Sequence, residues 1–260
     1  MKTPSIIFLI IILSTIMNAQ TEQTLTDQFE KRSFRYDTTS INYRFFIPEN
    51  LTDQVKYPLV LTLHGSGERG SDNEIQIAVH GLATTWADSA TQMKYKCFVV
   101  SPQCPENNRW VDAEWKNSSV EQDTIKISNE LETVIHLIDS LVLQYPIDTD
   151  RIYLTGLSMG GFGTWDLITR FPHKFAAAIP MSGAGDPTKA ELIKHIPLWV
   201  FHGDLDTAVP VDGSRKMVEA LQACSGDVIY TELPNMGHVI WKENYENPLL
   251  IDWLFSKIRK

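Results

Sequence analysis

A chain of 260 residues with a formal net charge of −9 lacks the basic surplus that nucleic acid or an anionic membrane surface selects, so the expected partner is a neutral substrate. Three cysteines, Cys97, Cys104 and Cys224, exclude a disulfide scaffold. A hydrophobic content of 43%, undivided by any Pro/Gly/Ser-rich linker or repeat, suits one full-sized core.

The chain opens with Met1-Lys2, an apolar block from Ile6 to Met17, and Asn18-Ala19, the layout of a secretory signal peptide over residues 1–19 with cleavage near Ala19. The block falls short of the roughly 20 apolar residues of a membrane span, so no membrane anchor is expected and the product is read as secreted or periplasmic. Residues 20–260 are read as a single α/β domain. Aromatic-rich stretches at 33–36 and 41–47 read as edge strands. Pro58-Leu59-Val60-Leu61-Thr62-Leu63 reads as a strand buried on both faces that empties into the glycine-dense His64-Gly65-Ser66-Gly67-Glu68-Arg69-Gly70. A buried strand at 97–101 is followed by an irregular loop over 102–123 that holds Trp110 and Trp115.

Helical spacing of Ile127, Leu131, Val134, Ile135, Ile138, Leu141 and Val142 predicts a helix over 124–145, ended by Pro146. Further strands are expected at 152–157, 175–181, 198–201 and 228–233, and helices after residue 158, at 188–195, at 213–223 and at the C-terminus. Alternating strands and helices predict a mostly parallel central sheet with helices on both faces. In such sheets the ligand site lies beyond the carboxyl ends of the strands. Cys97 and Cys104, seven residues apart, could stand about 23 Å from each other in an extended chain, far beyond bridging range, and are expected to be buried free thiols.

The strand over 152–157 runs into Gly156-Leu157-Ser158-Met159-Gly160, the strand, sharp turn and helix of a nucleophile elbow. Gly156 and Gly160 leave the room that so tight a turn needs. Ser158 is the candidate nucleophile. It requires a histidine to take its proton and a carboxylate to hold that imidazole in one tautomer. Beyond the strand ending at Phe201 stands His202-Gly203-Asp204-Leu205-Asp206, and beyond the last strand Pro234-Asn235-Met236-Gly237-His238. Asp206 is read as the acid, with Asp204 as its rival, and His238 as the general base. His64 and His202, at strand ends, are read as holding loops together; His80, His136, His173 and His195 as structural or solvated. The oxyanion donors are expected to be the N–H of Met159 and one from Ser66 or Gly67. No His, Cys and Asp cluster has metal-ligand spacing, so no metal is expected. Trp110 and Trp241 are candidate substrate contacts, with core packing as the alternative for each.

Together the blocks from His64 to Asn73, Pro102-Gln103-Cys104-Pro105, Gly156 to Gly161, His202 to Pro210, and Gly237-His238 with Trp241 resemble the α/β-hydrolases, most nearly secreted feruloyl and acetylxylan esterases with polyhydroxyalkanoate depolymerase-like proteins and predicted peptidases as relatives. The resemblance implies an α/β-hydrolase fold without a large lid, the triad Ser158, Asp206 and His238, and no cofactor. It also implies hydrolysis of feruloyl or acetyl esters, on a small molecule or a polysaccharide. A serine peptidase and a short-chain carboxylesterase are alternatives on the same fold; a non-catalytic binding protein is disfavoured because all three triad members are present. Where relatives often carry a polar or acidic residue after the histidine, this chain has Val239.

Overall fold

A computed structural model describes residues 25–52 and 54–259, so the expected signal peptide lies outside the described residues. The strands are β1 (Phe29–Tyr36), β2 (Thr39–Phe46), β3 (Tyr57–Leu63), β4 (Phe98–Gln103), β5 (Ile147–Leu157), β6 (Ala177–Met181), β7 (Leu198–Gly203) and β8 (Val228–Leu233). They form one eight-stranded sheet in the order β1-β2-β4-β3-β5-β6-β7-β8. β1 pairs with β2 and β2 with β4 antiparallel; every other pairing is parallel. This is the mostly parallel sheet expected from the alternation of strands and helices, and it has the α/β-hydrolase architecture that the family resemblance implied.

The apolar pattern of β3 explains the two-faced core. Leu59, Leu61 and Leu63 point to one side, where they pack with α4 (Asn129–Gln144), α5 (Met159–Arg170) and α7 (Asp212–Ala223). Val60 points to the other side, among Trp86 of α2 (Thr84–Ala87), Trp241 and Tyr245 of α8 (Trp241–Tyr245), and Leu250 and Leu254 of α9 (Pro248–Phe255). A strand buried on both faces has no polar alternation, and β3 has none exposed along its length.

Three departures from the sequence expectation have local causes. The long helix starts at Asn129, not 124, because Ser128 adopts extended backbone and its Oγ accepts the Leu131 N–H, a cap that fixes the start whatever apolar residues precede it. Between β3 and β4 the chain forms α1 (Ile75–Ala78), α2 and α3 (Ser89–Lys94), segments of four, four and six residues that are too short to carry a helical period. The segment expected as a helix over 188–195 is a 3-10 turn followed by the single-turn α6 (Ala190–Ile193). Cys97, Cys104 and Cys224 are free, and the first two are buried.

Candidate active site

At the carboxyl end of β5, Ser158 holds φ 54° and ψ −119°, a conformation costly for any residue with a Cβ. The neighbours over-determine it: its N–H donates to Met181 O at 2.9 Å, and its carbonyl accepts the N–H groups of Gly161 and Phe162 at 2.8 and 3.1 Å. A Cβ on Gly156 would lie 2.2 Å from Gly160 O, and one on Gly160 would lie 1.9 Å from Leu63 O. Both obstacles are backbone. Gly160→Ala must therefore push α5 off β3, and we expect a loss of about 3 kcal/mol or more in denaturant unfolding; a midpoint equal to the parent's would show that the elbow has slack.

The elbow faces two loops. Nε2 of His238 lies 2.8 Å from Ser158 Oγ, and Nδ1 lies 2.6 Å from Asp206 Oδ2. A carboxylate only accepts, so Nδ1 carries the proton and Nε2 is left to accept from Ser158. Asp206 has a fully buried side chain, whereas His238 keeps 23% of its side chain exposed. Oδ1 of Asp206 accepts the N–H groups of Ala208 and Val209 at 2.8 and 2.9 Å, and Oδ2 also receives Nε2–H of His202 at 3.2 Å. Burial opposes the charge on Asp206, but the bonds from His202, His238 and Val209 outweigh it and hold the carboxyl well below the usual carboxylate range.

Asp204 takes no part in this chain of bonds. Its Oδ1 accepts the Met236 N–H at 3.3 Å and its own N–H donates to Leu233 O at 3.2 Å, which braces the loop that presents His238. Of the two rival carboxylates, the one beside the histidine is Asp206.

Met159 is the first residue of α5, so its N–H has no intrahelical acceptor and points from the positive end of the helix toward Ser158. Ser66 and Gly67 belong to a 3-10 turn over Ser66–Glu68, held against the elbow: a Cβ on Gly65 would stand 3.6 Å from Ser158 Cβ. The Glu68 carboxylate packs against Gly65, its Oε2 standing 3.0 Å from where a Cβ on that glycine would lie, and Ser66 and Gly67 are the candidate donors from this loop. Glu68 and Arg69 do not pair with each other. Glu68 meets His80 Nε2 at 3.4 Å, and Arg69 donates to Ser66 O at 2.9 Å and to Asn108 O at 3.4 Å.

His64 braces the same loop. Nδ1 donates to Gly65 O at 2.6 Å and Nε2 accepts the Cys104 N–H at 2.9 Å, a neutral tautomer, and complete burial pushes its pKa down to about 4. An unfolded chain takes up the proton near pH 6.5, while the folded one refuses it until about pH 4. This group's stabilisation is thus complete above pH 6.5 and lost as pH falls toward 4, by about 3 kcal/mol. In denaturant titrations from pH 7.5 to 4.5, His64→Gln is expected to flatten the fall in stability relative to the parent; parallel curves would remove His64 as its source.

The structure corrects one substrate contact and relocates the other. Trp110 is fully buried; its Nε1 donates to His64 O at 3.0 Å and its backbone carbonyl accepts Ser128 Oγ at 2.7 Å, so it supports the glycine-dense loop after β3 from behind and offers no face to a ligand. Trp241 is also buried, with its ring 5.1 Å from that of His238 and nearly perpendicular to it, a wall for that imidazole more than a platform for a ligand. Exposed apolar surface on the two loops bearing Asp206 and His238 comes instead from Leu205, Met236 and Val239. Sequence reasoning passed over Leu205 and Met236, and met Val239 only as a departure from the residue that relatives often carry there, because nothing local marks an aliphatic residue as exposed. His136 stacks on Tyr36 with ring centres 3.5 Å apart, and His195 Nε2 donates to Pro172 O, which gives both a structural place. Among the described residues no group of three or more His, Cys, Asp or Glu side chains could hold a metal ion, and no helix is long and apolar enough to cross a membrane.

Known proteins share this chain's sequence and fold. The phospholipase/carboxylesterase family model matches residues 51–247. A bifunctional acetylxylan esterase/xylanase of Neocallimastix patriciarum is 33% identical over 82 residues, 32% of this chain and 12% of that protein. Poly(3-hydroxyalkanoate) depolymerase C of Paucimonas lemoignei is 30% identical over 126 residues, 48% of this chain and 28% of that protein. The crystal structure of a thermostable esterase superposes with a TM-score of 0.86 at 42% identity, covering 91% of this chain and 64% of that one. The chain thus matches less than a third of the length of either curated relative and under two thirds of the esterase.

Proposed function

The chain belongs to the phospholipase/carboxylesterase family of α/β-hydrolases, and from that premise we propose that it is a secreted serine esterase that removes feruloyl or acetyl groups from plant polysaccharides through an acyl-enzyme on Ser158. The observation that carries the reading is the unbroken chain from Ser158 Oγ to His238 Nε2, 2.8 Å, and from His238 Nδ1 to Asp206, 2.6 Å. As Oγ attacks the ester carbonyl, Nε2 takes its proton, and the imidazolium that forms is stabilised by the buried carboxylate on its other side. The carbonyl oxygen becomes an anion between the N–H of Met159 and that of Ser66 or Gly67. His238 then gives its proton to the departing alcohol. Water enters, loses a proton to the same nitrogen, and releases the acid. The serine's proton has left with the alcohol, so His238 passes the proton taken from water back to Ser158 Oγ as the acid departs, and the cycle draws on no cofactor.

The esterase names among the relatives support ester over amide, and the acetylxylan esterase supports a polysaccharide-borne acetyl group. Export rests on the leader read in residues 1–19. The exposed aliphatic rim of Leu205, Met236 and Val239 supplies apolar surface against which an aryl or alkyl part of the ester can lie. The deciding assay measures acyl release from methyl ferulate and from acetylated xylan, with Ser158→Ala as the blank. Ferulate release that vanishes in the variant supports a feruloyl esterase, and acetate alone supports an acetylxylan esterase. If neither substrate turns over while p-nitrophenyl acetate does, the polysaccharide assignment is wrong and the serine mechanism stands.

A further inference from the structure

Beside the triad lies a second histidine that the reaction scheme leaves unused. His202 is the penultimate residue of β7, is fully buried, and presents Nε2 to Asp206 Oδ2 at 3.2 Å and to Val209 O at 3.1 Å. Both are acceptors, so Nε2 carries a proton and donates. On its far side Nδ1 stands 2.7 Å from Oγ of Ser214, itself completely buried at the start of α7 and 3.3 Å from Gly183 O. Gly183 closes the path, since a Cβ there would lie 2.5 Å from the carbonyl carbon of Gly161, in the first turn of the nucleophile's helix. A polar string of buried groups therefore runs from the acid of the triad through His202 and Ser214 to the backbone that seats Ser158.

The oxygen that His202 touches is the one that matters. Asp206 Oδ1 is occupied by two backbone N–H groups, so Oδ2 alone receives both imidazoles, His238 at 2.6 Å and His202 at 3.2 Å. We propose that His202 is a positioning residue for the reaction assigned above, donating to Asp206 Oδ2 so as to aim that oxygen at His238 and temper its pull on the imidazole, with Ser214 fixing the ring. The inference rests on the serine-esterase reading of the site. The titratable and charged groups around this network are Asp206 and His238, the Ser158 hydroxyl, and Glu232 on β8, whose charge is engaged by Arg215 and the Tyr230 hydroxyl.

Two isosteres separate positioning from mere packing. His202→Gln places its amide nitrogen where Nε2 was and keeps the donor to Asp206; His202→Asn reaches only as far as Nδ1 and keeps a partner for Ser214 while losing that donor. With p-nitrophenyl acetate, the Asn variant is expected to lose about 10-fold to 100-fold in kcat with KM within about threefold. The rising limb of its kcat/KM profile should move up by about half a pH unit, because an oxygen relieved of one donor binds the His238 imidazolium more tightly. His202→Gln should recover most of both changes. Should His202→Asn fail to fold, Ser214→Ala carries the test, with an expected loss of about threefold to tenfold in kcat and unchanged KM. An Asn variant that loses thermal stability but keeps the parent's kcat and profile overturns the proposal, as does a Ser214→Ala enzyme with parental kcat. Ser158→Ala run alongside tells the two failures apart: if it stays active, the triad reading itself falls; if it is dead while His202→Asn behaves as the parent, only the role of His202 falls.

Discussion

Ser158→Ala is expected to lower kcat/KM on any ester this protein hydrolyses by about 10,000-fold or more while moving the thermal midpoint by no more than about 2 °C. The large kinetic effect follows from chemistry that nothing else at the site can perform: Met159 and the Ser66 turn can still hold an oxyanion, but no second nucleophile stands at 2.8 Å from His238 Nε2. The small thermal effect follows from what the hydroxyl touches, a single partly exposed imidazole, with the backbone bonds of residue 158 untouched by the change. Ser158→Gly separates the two effects further. At φ 54° and ψ −119° glycine has no Cβ to strain, so this variant should be equally inactive yet more stable than the parent by about 1 kcal/mol. Reading both variants by activity and by thermal unfolding would show that the elbow's strain is held for function. A glycine variant less stable than the alanine one would mean that the turn is relaxed and that the steric argument for the elbow is misplaced.

The parts of this site that were legible in the sequence are those fixed by nearest neighbours along the chain. Gly156 and Gly160 announce the elbow because the obstacle each avoids lies within the strand-turn-helix unit itself or directly beneath it on β3. Parallel order likewise put the loops after β7 and β8 on the rim of Ser158, which selected Asp206 and His238 before any distance was known. What sequence could not give was decided across the fold. Trp110 reads as a rim aromatic, yet Gly163 on α5 vacates the space for it: a Cβ there would lie 3.0 Å from Trp110 Cβ, and no feature near residue 110 records that vacancy. The same holds for His202. Its neighbours in sequence mark a strand end, while its partner Ser214 comes from α7, and Gly183 behind Ser214 from the loop after β6, which meet β7 only in the folded chain. The helices between β3 and β4 escaped for a simpler reason, since four to six residues are less than the two turns over which a period of 3.6 can be told from chance.

Asp206→Asn is expected to lower kcat by about 10,000-fold, against less than about threefold for Asp204→Asn. The asymmetry comes from counting donors. In the parent, Oδ1 of Asp206 accepts two backbone N–H groups and Oδ2 accepts two imidazole N–H groups, so all four partners are donors. An amide has one oxygen and one NH₂. If the oxygen stays with Ala208 and Val209, the NH₂ faces His238 and forces the imidazole into the opposite tautomer, whose Nε2–H cannot take the proton of Ser158. If the amide flips, two backbone N–H groups face an NH₂ in a fully buried position, and the loop must open at a cost of about 2 to 4 kcal/mol. Either arrangement ends catalysis, the first by chemistry and the second by geometry, and unfolding measurements distinguish them. Asp204 meets a single donor, the Met236 N–H, which an asparagine oxygen can accept as well. A more damaged Asp204→Asn enzyme would reverse the assignment of the acid and, with it, the meaning of the 2.6 Å contact between Asp206 and His238.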